Sequence, residues 1–211
     1  MSFYSRLFVA LSSAAFVPAV LTTAMLSFAP TALAERTTAD DESHIDDPRV
    51  QHRSYTFEPT GETIPYAIFV PSSYDPNGTE PLPLLVSLHG LGRSYDWLMG
   101  YHGLLDQAEA NGYAVATPLG YIREGWFGSR PAEDPQDGVY SEQDVMNVLE
   151  LVRDELRIDS GRIFLWGHSM GGGGTYHIAA KHPEVFAGLG VAAPAPAISA
   201  PMDEILDKIA H

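Results

Sequence analysis

Residues 162–176 read Arg162-Ile-Phe-Leu-Trp-Gly-His-Ser-Met-Gly-Gly-Gly-Gly-Thr-Tyr176, and the rest of the chain is placed relative to them. Ile163, Phe164, Leu165 and Trp166 run without polar interruption, the pattern of a strand covered on both faces as in a parallel sheet. Gly167, His168, Ser169, Met170 and Gly171 then fit Gly-x-Ser-x-Gly. Glycines flank the serine because a side chain at either place would collide with a strained strand-to-helix turn. The stretch reads as a buried strand that turns sharply at Ser169 and continues as a helix, the signature of a nucleophile elbow. Gly171 to Gly174 do not make a phosphate loop, since no Gly-Lys-Ser/Thr follows and no Gly-x-Gly-x-x-Gly comes directly after the strand. They are expected to let the helix pack tightly on the sheet.

Upstream of the elbow the chain alternates strand and helix signals. Tyr55 to Phe57 and Ile64 to Val70 look like short strands separated by Pro59, Thr60 and Gly61. Tyr74 to Pro83 is a surface turn that contains the acceptor triplet Asn77-Gly78-Thr79. Leu84-Leu-Val-Ser-Leu88 is a buried strand ending in His89-Gly90-Leu91-Gly92. A helix is expected from an Asp96 N-cap to Asn111-Gly112, with Trp97, Leu98, Leu104, Leu105 and Ala108 on its apolar face. A strand at Tyr113 to Thr117 is followed by a long loop, Pro118 to Gly138. The next helix is expected to start at a capping box of Ser141 and Asp144, stapled by Tyr140 and Val145, with Val145, Val148, Leu149, Val152 and Leu156 facing inward. After the elbow helix, which stops near His182-Pro183, come a strand at Ala187 to Ala193, a loop at Pro194 to Pro201 and a helical turn or two at Met202 to His211. Regular alternation of this kind means an α/β fold with a mainly parallel sheet flanked by helices.

Composition bounds the partners. The 211 residues include 45% hydrophobic ones, enough for a sizeable core. The formal net charge of −15 argues against nucleic acid and anionic membrane surfaces. Cysteine is absent, which excludes disulfides, thiolate chemistry and Cys-ligated zinc. Residues 1–34 carry one charge, Arg6, ahead of an apolar run, and end in Ala32-Leu33-Ala34. They read as a signal peptide cleaved before Glu35, which implies a secreted or periplasmic protein with no stable membrane insertion. Retention of the same run as a membrane anchor is the competing reading. Residues 35–51 are acidic and poor in apolar groups, and are expected to form a flexible leader before a domain at 52–211.

A serine hydroxyl is a poor nucleophile at neutral pH, so the elbow needs a base and donors for an oxyanion. One donor is the backbone N–H of Met170, at a helix N-terminus where N–H groups lack intrahelical partners. The other is expected to be the N–H of Leu91, because Gly90 and Gly92 let that backbone approach a substrate carbonyl. His89 and His168 neighbour the two motifs and are candidates for supporting the loop and the substrate pocket. Trp126 and Phe127, framed by Gly125 and Gly128, are candidates for lining it, with closure of the core edge as the alternative. His177 and His182, on the helix after the elbow, are expected at the surface or in a cap. No His-Glu-x-x-His or comparable ligand spacing occurs, so neither metal nor cofactor is expected.

Tyr66-Ala-Ile-Phe-Val-Pro71, Leu88-His-Gly-Leu-Gly92, Ser141-Glu-Gln-Asp-Val-Met146 and Gly167-His-Ser-Met-Gly171 together resemble the α/β-hydrolases. Within them they are similar to secreted esterases of the polyhydroxybutyrate depolymerase and feruloyl esterase kind, over residues 52–200. The resemblance implies hydrolysis of small-molecule or polymeric carboxylic esters through an acyl-enzyme on Ser169. It also implies an acid and then a histidine later in the chain. No residue fills those places: Asp203, Glu204 and Asp207 read as solvated helix charges, and His211 is terminal. The last two strands of the fold are read as missing, so the nucleophile and oxyanion side is expected without the proton-transfer side. A peptidase resembling the prolyl oligopeptidase catalytic domain, and a non-catalytic or fragmentary member that binds an acyl ligand, are the alternatives.

Overall fold

The computed structural model describes residues 45–195 and 201–209. Six strands form one sheet in the order β1-β2-β4-β3-β5-β6. They are β1 (Val50–Phe57), β2 (Glu62–Phe69), β3 (Leu82–Leu88), β4 (Ala114–Pro118), β5 (Ile158–His168) and β6 (Gly188–Ala192). β1 and β2 pair antiparallel and β2 joins β4 antiparallel, whereas β4, β3, β5 and β6 run parallel. The helices are α1 (Leu104–Asn111), α2 (Pro135–Glu155), α3 (Met170–Lys181) and α4 (Met202–Ile209). The predicted alternation is therefore present, and its mainly parallel part carries the elbow.

Hydrophobic alternation explains the two layers. On one face Leu84, Val86, Leu88, Ile163 and Leu165 are fully buried beneath Val145, Val148, Leu149 and Val152 of α2 and Ile178 of α3. These α2 residues are the inward stripe read from the sequence. The other face packs Phe57, Ile64, Ala67, Phe69 and Val115 against Leu105 and Ala108 of α1, together with Tyr95 and Met99.

Three local expectations change. The helix expected from Asp96 to Asn111 is two pieces, a 3-10 turn at Trp97–Gly100 and then α1, because Gly103 adopts a left-handed φ of 82° between them. Asp96 does not cap this turn with its side chain; its buried carboxylate accepts from Ser94 Oγ and Ile45 N–H, both at 2.5 Å. That second bond also corrects the leader boundary at residue 51. Chain from Ile45 onward is already anchored to the domain, and β1 begins at Val50. Finally, α2 starts six residues before the expected Ser141 cap, at Pro135, with Asp134 accepting from Gln136 N–H at 2.9 Å. Aspartate followed by proline at the first helical position is itself a strong start signal, and it overrides the later box. The Pro194 to Pro201 loop falls partly, at 196–200, outside the described residues.

The glycines of α3 let it lie almost in contact with its neighbours. A Cβ on Gly174 would stand 2.6 Å from Phe127 Cβ, and one on Gly173 would stand 2.7 Å from Ala195 O. Alanine is usually the better helix former by about 0.5–1 kcal/mol, but here it would push α3 off the sheet. We expect Gly174→Ala to destabilise the protein by about 1–3 kcal/mol through overpacking. Gly138→Ala in α2, whose Cβ would meet nothing nearer than 3.7 Å, is expected to stabilise it by about 0.5–1 kcal/mol. Urea unfolding of the two variants gives opposite signs if close packing is the reason for the glycine run, and the same sign if it is not.

Candidate active site

The strand order reverses at β3: the chain goes from β3 to β4 on one side and then to β5 on the other. In open α/β sheets such a reversal leaves a crevice at the carboxyl ends of the strands, where ligands bind. Leu88 and Gly167 lie in register at those ends of β3 and β5. The turn His89-Gly90-Leu91-Gly92 and the elbow at Ser169 therefore emerge side by side, although they are some eighty positions apart in sequence.

Ser169 has φ 56° and ψ −111°, outside the regions open to ordinary residues. Three backbone hydrogen bonds hold it there. Its N–H donates to Ala192 O at 2.9 Å, and its carbonyl accepts from Ala195 N–H at 2.8 Å and Gly173 N–H at 3.2 Å. The flanking glycines are needed for space. A Cβ on Gly167 would fall 2.1 Å from Gly171 O, and a Cβ on Gly171 would fall 2.0 Å from Leu88 O. Real Cβ atoms do not approach so closely, so neither position can carry a side chain while the turn is kept.

Met170 follows at the first position of α3 with its side chain fully buried, so that its N–H belongs to the unpaired end of the helix. Across the crevice, the turn after β3 is closed by Arg93 N–H to Gly90 O at 3.0 Å and by Gly92 N–H to Arg123 O at 3.4 Å. These bonds employ the neighbours of Leu91 and not its own N–H. Leu91 keeps a half-exposed side chain. The two predicted oxyanion donors thus sit on the two elements that flank the switch point.

The other sequence candidates divide. His89 is wholly buried, with Nδ1 2.8 Å from Gly90 O and Nε2 2.7 Å from Leu119 O and its ring edge-on to Phe127. It braces the turn from behind, as expected of a residue that supports the loop, and its complete burial keeps the side chain itself out of the pocket's lining. Phe127 is likewise fully buried, under Gly174 and Gly120, and closes the core. Trp126 is half-buried, with the Arg130 guanidinium 4.4 Å from its ring centre. His168 is half-buried next to Ser169 and leaves Nδ1 buried without a hydrogen-bond partner among the described residues. His177 and His182 turn toward α2, with Nε2 atoms 3.0 and 3.4 Å from the Glu142 carboxylate, which also accepts from Lys181 at 2.7 Å. Burial pushes the Glu142 carboxyl up, but the hydrogen bonds from His177 and Lys181 outweigh it and bring it down to about 2. His177 is thus a bridge between helices, not a surface group. No histidine among the described residues is hydrogen-bonded to Ser169, and no group of three or more metal-binding side chains occurs among them.

Sequence reasoning missed Asp144 and Ser141 as organisers of the loop beside the site. From inside α2, Asp144 accepts from Gly120 N–H at 2.6 Å, Tyr121 N–H at 3.1 Å and Tyr55 Oη at 2.6 Å. Ser141 Oγ accepts from Phe127 N–H at 3.0 Å. The loop they hold includes Gly120, Tyr121, Trp126 and Phe127, all at positive φ. The available signal was a polar pair on the inward side of an otherwise apolar stripe.

This architecture, a parallel sheet with the serine elbow at the switch point and an antiparallel edge, is that of an α/β-hydrolase. The chain belongs to the esterase family described as "Putative esterase", which it matches over residues 58–204. Among curated relatives it is 32% identical over 111 residues to "Putative esterase NocK" of Nocardia uniformis subsp. tsuyamanensis, covering 52% of this chain and 32% of that protein. An S-formylglutathione hydrolase of Agrobacterium tumefaciens has a TM-score of 0.58 at 24% identity, covering 69% of this chain and 57% of that one. The CE1 ferulic acid esterase AmCE1/Fae1A of Anaeromyces mucronatus has a TM-score of 0.57 at 19% identity, covering 80% and 70%. The matched stretch spans about a third of the length of NocK. No helix among the described residues is long and apolar enough to cross a membrane.

Burial raises the Asp144 carboxyl to about 6, against the hydrogen bonds it receives. Because the folded value lies above the ordinary one near 4, the native state binds this proton more tightly than the unfolded chain does. Its contribution is complete below about pH 4 and is lost as pH rises through about 6. We expect the stability of the wild type relative to Asp144→Asn to fall by on the order of 2–3 kcal/mol between pH 4 and 7. Urea midpoints at four pH values measure it; a difference that rises with pH contradicts the assignment.

Proposed function

We propose that this chain carries the nucleophile and oxyanion side of a serine esterase acting on small-molecule or polymeric carboxylic esters. The observation that carries the reading is the juxtaposition of a strained Ser169 at the N-terminus of α3 with the Gly90–Gly92 turn. Family membership supports the same chemistry.

In this reading Ser169 Oγ attacks the ester carbonyl carbon and loses its proton to a base. The carbonyl oxygen becomes an oxyanion facing the N–H groups of Met170 and Leu91. Collapse of the tetrahedral species breaks the bond to the alcohol, which leaves with a proton, and water then releases the acid and restores the serine. Both donors belong to backbone held in advance, Met170 by burial and the Leu91 turn by the hydrogen bonds of its neighbours, which limits reorganisation. Base and orienting acid are required as well, and no described residue is placed at Ser169 to serve. The apolar run before Glu35 supports a secreted or periplasmic location with no lasting membrane insertion, and the strong negative charge supports a protein without nucleic-acid partners.

The test is covalent labelling with an alkyl fluorophosphonate followed by mass spectrometry. We expect one adduct per chain, on Ser169, with fluoride as leaving group, and none in Ser169→Ala. Completion within minutes means that the chain holds a base for Ser169, and completion only over many hours means that it does not. A folded sample that takes no label overturns the reading. Faster turnover of p-nitrophenyl esters than of peptide anilides then separates an esterase from a peptidase.

A further inference from the structure

Trp97 opens the 3-10 turn after β3, far from the elbow in sequence, yet its ring reaches the elbow. Its centre lies 5.5 Å from that of His168, with the planes tilted by 51°, and Tyr101 packs edge-on against it at 5.2 Å. Tyr101 continues the cluster to Trp166 at 5.5 Å and to His168 at 6.1 Å. The Arg93 guanidinium sits over the Trp97 ring at 5.1 Å. Three of these groups, His168, Trp97 and Arg93, come together beside the buried Gly90. A Cβ built there would stand 3.5 Å from His168 Nδ1, 3.6 Å from Trp97 Cζ3 and 3.8 Å from Arg93 Cγ, ordinary contact distances on three sides.

We infer that Trp97 and His168 together form a spacer that sets the gap between the Leu91 and Met170 N–H groups. His168 is the residue before Ser169 and moves with β5; Gly90 is the residue before Leu91 and moves with the turn after β3. The two rings pack on each other, and both stand next to Gly90. Nδ1 of His168 has no partner among the described residues, so the imidazole is held here by its shape and not by a hydrogen bond. An aromatic body suits the task because it is rigid, with only two side-chain torsions, and loses contact energy steeply if a gap opens. An oxyanion hole depends on such spacing, since misplacing a group by about 1 Å can cost about 10²-fold in rate. Trp97 is therefore a positioning residue, acting through Gly90 and His168.

This inference rests on the esterase reading of Ser169 and is tested so that the two can fail separately. Trp97→Ala and His168→Ala are compared with Trp97→Phe and wild type for the rate of fluorophosphonate labelling, for kcat and KM on a p-nitrophenyl ester, and for melting temperature. The expected result is that each alanine variant remains folded, labels about 10²-fold more slowly and loses kcat alike, with KM within about threefold, because the oxyanion donors act in the transition state. Trp97→Phe, which keeps an aromatic ring, recovers most of the loss. A raised KM at unchanged kcat overturns the inference and makes Trp97 a substrate wall, and unchanged labelling overturns it as well. If wild type itself takes no label, the esterase reading fails first. The spacer is then judged on the Leu91 and Met170 amide resonances of the ¹⁵N-labelled protein: displaced in Trp97→Ala, they support it, and unmoved, they overturn it.

Discussion

A strained backbone at Ser169, with φ 56° and ψ −111°, is the constraint on which the rest of the molecule depends. Conformations of this kind cost on the order of 1–3 kcal/mol and survive only where the surroundings over-determine them. Here the surroundings do so twice. Hydrogen bonds fix the N–H and the carbonyl of Ser169, and steric contact fixes the two glycines that flank it. The second device explains why the first turn of α3 is glycine-rich. To bring Gly171 against Leu88 O, the helix must approach the end of β3, and the three positions that follow, Gly172 to Gly174, then come close to Pro194, Ala195 and Phe127. Elbow and packing are one arrangement.

The loop beside the site obeys the same logic with polar groups. Residues 120–128 run at positive φ in five places, counting Gly120 and Gly128, and cannot satisfy their N–H groups in regular structure. Side chains of α2 accept three of them: Asp144 takes Gly120 and Tyr121, and Ser141 takes Phe127. Burying a carboxylate for this purpose is costly, which is why its proton affinity rises despite the donors around it. The gain is that Phe127 is pinned under Gly174, and so the loop and the elbow helix are packed by the same ring.

Much of this was legible in the chain. Apolar runs gave β3 and β5, the stripe Val145, Val148, Leu149 and Val152 gave the buried face of α2, and Gly-x-Ser-x-Gly after a strand gave the elbow with its conformation. Those signals are local, and each has one physical cause. Errors arose where a local signal had a non-local use. Ser141 and Asp144 have the spacing of a capping box, but their oxygens are engaged by a loop from outside the helix. Asp96 stands where a cap would stand, yet its carboxylate holds Ile45 from a segment whose composition suggests a free leader. For His89 and Phe127 the chain leaves a place at the substrate and support of loop or core both open, and only their burial decides for support. Sequence shows which groups are unusual, but three-dimensional neighbours decide which backbone they serve.

Ser169 is held unevenly by the sheet. Two of its three backbone partners, Ala192 and Ala195, belong to β6 and to the residues just after it, and the third to α3. All five residues of β6 are only half-buried, whereas β3 and β4 are almost wholly enclosed. Local opening of a fold begins where few apolar contacts oppose it. The one strand among the described residues with no buried position is thus the one that fixes the most demanding backbone angle there. Loss of order at β6 would relax Ser169 toward an ordinary conformation while β3, β4 and the Asp144 network stayed intact. The nucleophile's geometry is in this way tied to β6 by hydrogen bonds as well as to the end of β3 by the contact of Gly171 with Leu88 O.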